Sequence, residues 1–111
     1  MANRHRGEIE AVLDGKTYTL CLTLGALAEL EQAFGASDLT VLAGRFGQGR
    51  MSARDAIRIL TAGLRATGHD VSEDHVAGMQ ADGAAVGFVT IVARLLAATF
   101  ADTDDVLSSV K

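Results

Sequence analysis

The chain of 111 residues contains no proline and a single cysteine. Without proline, the punctuation between elements falls to glycine and to capping side chains. One cysteine, Cys21, excludes an internal disulfide and a multi-cysteine zinc site, and it fits a reducing cytoplasm. Clustered positive charge is also lacking: the formal net charge is -4 and the sequence pI is near 5.2. A dedicated nucleic-acid binder needs grouped Lys and Arg to displace counterions from phosphates, so that class is set aside. The one basic run, Arg4-His5-Arg6, reads as a solvated arm over residues 1–6. Long hydrophobic runs are missing too. The first residues lack the apolar stretch of a secretory signal, and the longest candidate, 84–101, is interrupted by Gly87 and Arg94. It reads as a buried helix, and no membrane partner is expected.

Chemical constellations are equally sparse. His5, His69 and His75 do not form a site by spacing; Asp70, Glu73 and Asp74 lie between the last two, but the arrangement lacks a ligand pattern such as H-E-x-x-H. Glu73 and Asp74 in a helix's first turn are better explained by the helix dipole. Cys21 falls on an expected strand with no histidine near it in sequence, so it reads as packed and inert. Gly44, Gly47 and Gly49 are not followed by the Lys-Ser/Thr of a phosphate loop, and the element before them reads as a helix. Ser37-Asp38-Leu39 resembles the prosthetic-group site of an acyl carrier, but the carrier order is Asp-Ser-Leu, and Ser37 is better taken as a helix cap. The expectation is a protein without catalytic residues, cofactor or metal.

What is present is a core former. Hydrophobic residues make up 49% of the chain, enough for one modest core at this length, so residues 1–111 are read as a single domain. Ile9, Ala11 and Leu13 alternate, as do Tyr18, Leu20 and Leu22, with Asp14-Gly15 between them. Gly accepts positive φ and Asp tolerates it, so the pair predicts a two-residue turn and an antiparallel hairpin. Then the period changes. Thr23 can cap a helix burying Leu24, Leu27, Leu30 and Phe34, ended by Gly35. A second helix is expected from Ser37 or Asp38, burying Leu39, Leu42 and Phe46. Ser52 and Asp55 resemble a capping box opening a third helix with Ile57, Leu60 and Leu64 inside, stopping near Gly68. Ser72 caps a fourth, stapled by Val71 and Val76 and running to about Asp82. Gly83 precedes a fifth, and residues 102–111 are read as a tail. The fold class predicted is α+β: an N-terminal antiparallel β-hairpin followed by a bundle of about five short helices.

The fifth helix carries more apolar surface than one packing face needs. At 100° per residue, Val86, Phe88, Val89, Ile91, Val92, Leu95, Leu96 and Phe100 cover roughly 220° of its circumference, about twice what a helix packed on one side needs. Two readings follow. Either the helix is central and wholly surrounded, or Phe88, Ile91, Val92 and Leu95 face the core while Val86, Val89, Leu96 and Phe100 serve a protein partner or self-association.

The order of motifs also resembles a known family. Asn3-Arg4-His5-Arg6-Gly7-Glu8, Leu13-Asp14-Gly15-Lys16-Thr17-Tyr18-Thr19-Leu20 and Thr23-Leu24-Gly25-Ala26-Leu27-Ala28-Glu29-Leu30-Glu31 are similar to the start of small tail proteins of gene transfer agents and siphophage-like clusters. The likeness continues through Arg50-Met51-Ser52, Ala62-Gly63-Leu64-Arg65 and Ala93-Arg94-Leu95-Leu96-Ala97-Ala98. It implies a cytoplasmic tail assembly chaperone acting on tail tube and tape-measure proteins, or else a structural tail subunit carried in the particle.

Overall fold

Asp14 and Gly15 both adopt positive φ, 54° and 75°, and so close a tight turn between β1 (Glu8–Leu13) and β2 (Lys16–Cys21). The computed structural model describes residues 7–47 and 51–110, with backbone alone at 46–47 and 101–110, so the expected basic arm, 1–6, lies outside the described residues. The strands pair antiparallel with Leu13 opposite Lys16, Ala11 opposite Tyr18 and Ile9 opposite Leu20. Because side chains alternate across a strand, Ile9, Ala11, Leu13 and Leu20 all enter the core, with Tyr18 half-buried beside them.

Five helices follow: α1 (Leu24–Phe34), α2 (Leu39–Gly47), α3 (Ala53–Ala66), α4 (Glu73–Ala77) and α5 (Ala84–Val110). The architecture is α+β, as expected. Each of the first four helices begins on a side chain that satisfies an otherwise unpaired backbone donor. Thr23 Oγ1 accepts from Ala26 N–H, Asp38 Oδ1 from Val41 N–H and Ser72 Oγ from His75 N–H. At α3 the exchange is reciprocal: Asp55 N–H donates to Ser52 Oγ and Ser52 N–H to Asp55 Oδ2. Gly35, at φ 66°, ends α1 with Ala36 N–H bonded to the Glu31 carbonyl, so the chain reverses directly into α2.

Three helical expectations need correction. Leu24 is 77% exposed, because it starts α1 outside the arc that Ala26, Leu27 and Leu30 bury. Leu39 likewise starts α2 and stays 39% exposed, while Leu42 is fully buried; the Phe46 side chain lies outside the described residues. The fourth helix ends at Ala77, not near Asp82. Gly78 and Met79 close it with bonds to the carbonyls three residues back, and the chain is then held by the hairpin. Asp14 N–H donates to the Gln80 carbonyl at 2.8 Å, and Gln80 N–H donates to Asp14 Oδ1 at 2.8 Å. A continued helix could not make this two-way contact with the turn.

At the start of α5, Gly87 meets the Asp82 carbonyl so closely that a Cβ there would collide with it. No glycine or proline follows before the chain ends, and α5 carries on to Val110 through the segment read as a tail. The core gathers around α3, which packs on α1, β2 and α5; Ile59, Leu60 and Leu64 are almost wholly inside, Ile59 having escaped the sequence pattern. Gly63 sits where the layers converge. A Cβ on it would stand 3.0 Å from Leu95 Cδ2 and 3.4 Å from Leu20 Cβ. By contrast, a Cβ on Gly44 of α2 would meet nothing within 4 Å. Denaturant melts should therefore show Gly63→Val destabilised by about 1–3 kcal/mol through overpacking. In the same assay Gly44→Ala should gain up to about 1 kcal/mol from helix propensity. Equal effects at the two sites would remove Gly63 from the packing centre.

Candidate protein-binding surface

α5 meets β1 along one side, and Arg94 fastens the contact by donating from Nη2 to the Glu10 carbonyl at 2.9 Å. With that contact set, the wide apolar arc of the helix divides. Ile91, Val92 and Leu95 are buried, and Phe88 packs half-buried against the same core. Val86 and Val89 are 73% and 59% exposed. Leu96, expected with them, is instead 9% exposed and part of the core, and Phe100 is half-buried against it. The reason is axial. Leu96 lies only about 20° round the helix from exposed Val89, but two turns further along, where the core covers that side of α5. Of the four candidate partner-facing residues, the structure thus presents Val86 and Val89 to solvent together and turns Leu96 and Phe100 toward the core.

The exposed pair forms a ridge between two grooves. One, of about 350 Å³, lies between α3, α4 and α5, with Ala53, Ala56 and Ile57 on one wall and Phe88 and Val89 on the other. Its lining carries no charge. The second, of about 560 Å³, runs between α5 and β1, where Val12 and Val86 share the walls with Glu10, Asp82 and Arg94. Exposed Ala93 continues the ridge one turn beyond Val89. Such an outward apolar stripe is the kind of surface that marks a protein contact. The sequence carried a signal for this ridge in the excess arc, but none for the groove beside it, which needs α3 and α4 brought to α5.

The titratable candidates stay apart. His69 stands edge-on to Tyr18, with ring centroids 4.9 Å apart, and His75 is exposed in α4; His5 lies outside the described residues. Cys21 is half-buried at the end of β2, in a depression shared with Thr19, Thr23 and Thr67. Ser37 is exposed just ahead of the α2 cap. Arg45 and Arg58 both lie over the Phe34 ring, at 4.9 and 5.8 Å, and Arg45 also pairs with Asp55 at 3.7 Å, so these cations tie α1, α2 and α3 together. Among the described residues no group of three or more His, Cys, Asp or Glu is placed to hold a metal, and no helix is long and apolar enough to cross a membrane.

Residues 6–102 match the profile of a family of phage tail proteins. The chain belongs to this family, which is described as phage tail tube protein, GTA-gp10, and so to the tail proteins of phages and gene transfer agents. No curated protein and no solved structure matches it.

The division of α5 has a measurable consequence. Val86→Ser and Val89→Ser should each change unfolding free energy by no more than about 0.5 kcal/mol, as surface substitutions do. Leu96→Ala should cost about 2–5 kcal/mol. Chemical denaturation of the three variants checks this, and a neutral Leu96→Ala would return that residue to the outer face.

Proposed function

We propose that the chain works by binding other tail proteins at the outer face of α5, and that it performs no chemistry. The observation that carries this reading is the exposed Val86–Val89 ridge beside an uncharged groove, in a protein whose family serves a tail. The family's description supports a structural subunit that stays in the particle ahead of the chaperone implied by the earlier resemblance. A subunit of this kind buries the ridge permanently against its neighbours.

The transient chaperone is the second reading, and the shape of the surface favours it. The groove is concave and apolar, which suits reception of one segment of a tube or tape-measure protein. Covering adhesive surface of that kind before assembly would suppress premature association.

Quantitative mass spectrometry of purified mature particles separates the two. A subunit is present in fixed ratio to the other tail proteins. A chaperone is abundant in producing cells and missing from the particles. Particles that form normally in a strain deleted for the gene would contradict both.

A further inference from the structure

We propose that the groove between α3, α4 and α5 receives an amphipathic α-helix of a partner protein whose apolar stripe is flanked by lysine or arginine. The proposal rests on the reading that a tail protein docks at this face, and it specifies the chemistry of what docks. Three observations lead to it. Val86, Val89 and Ala93 recur at i, i+3 and i+7 on the outward side of α5, the spacing that another helix reads. The facing wall sets two alanines, Ala53 and Ala56, beside Ile57, and the small side chains let a second helix axis come close there.

Charge then decides between a second copy of this chain and a different partner. Exposed acids flank the groove and the ridge: Glu73 and Asp74 stand one turn before Val76 and Ala77 of the groove wall, and Asp82 lies across the ridge in the second groove. Among the described residues, the nearby arginines are Arg94, committed to the Glu10 carbonyl, Arg58, held over the Phe34 ring, and exposed Arg54 beside Ala53. A second copy would bring the same acids, on a chain of formal net charge -4. Like charges face each other in that pairing, whereas a basic helix finds complementary ones.

The test uses the full chain and two synthetic peptides, one with a leucine stripe flanked by lysines and the other with the same stripe flanked by glutamates. Fluorescence anisotropy at low salt should show the lysine peptide binding at least about tenfold tighter, with the advantage shrinking as salt screens the rim. Val89→Ser should weaken binding of the lysine peptide by about tenfold, since one buried apolar side chain is removed. Glu73→Lys with Asp82→Lys should reverse the preference between peptides. Equal binding of both peptides, no binding of either, or indifference to Val89→Ser overturns the proposal. So does a dimer in sedimentation that Val89→Ser converts to monomer, which assigns the face to a second copy. If neither peptide binds while a purified tail protein does, the basic-helix proposal falls and docking by a tail protein stands.

Discussion

The fold turns on the absence of a side chain at Gly63. A two-stranded sheet cannot hold itself together in water and must be covered on one face. Here the cover is α3, and α5 closes over both; the three elements meet where Leu20, Gly63 and Leu95 converge. With Leu20 and Leu95 both fully buried, any larger residue at 63 would push α3 away from the strand or α5 away from α3. The second tie, the paired Asp14–Gln80 hydrogen bonds, fixes the far end of the hairpin to the connection between α4 and α5. These contacts set the rotation of α5, and that rotation decides which of its apolar residues stay outside.

Local chemistry was largely legible in the sequence. Asp14-Gly15 specified its turn, and Thr23, Ser52 and Ser72 specified helix starts, because a cap or a turn is decided by a few neighbouring residues. What depended on distant contacts was not legible. Gly78 offers a local stop after Ala77, but the contact that holds the chain beyond it, Asp14 far away in the chain engaging Gln80, left no mark there. Leu24 and Leu39 fit a helical period yet face water, since periodicity fixes which residues share a face and not how far the neighbouring layer extends over it.

The proposed binding surface was half legible for the same reason. An apolar arc wider than one interface left two readings, a central helix or one with an outer apolar face, and Val86 and Val89 are outside. Leu96 and Phe100 belong with the core, because the adjoining elements wrap further round the helix there. The resemblance in motif order pointed to tail proteins, and the family match over residues 6–102 agrees with that coarser level. Its description moves weight from transient helper to resident subunit. Either role uses the same physical asset, an outward apolar ridge on a helix whose inner face is locked.

On this reading the ridge touches a tail protein during particle production. A photoreactive amino acid placed at position 89 of α5, and in a separate strain at exposed Glu29 of α1, tests it directly. Irradiation of producing cells should yield a covalent adduct between this chain and a tail protein from position 89, and none from position 29. Adducts from position 29 alone, or particles assembling normally with no adduct from position 89, would contradict the assignment.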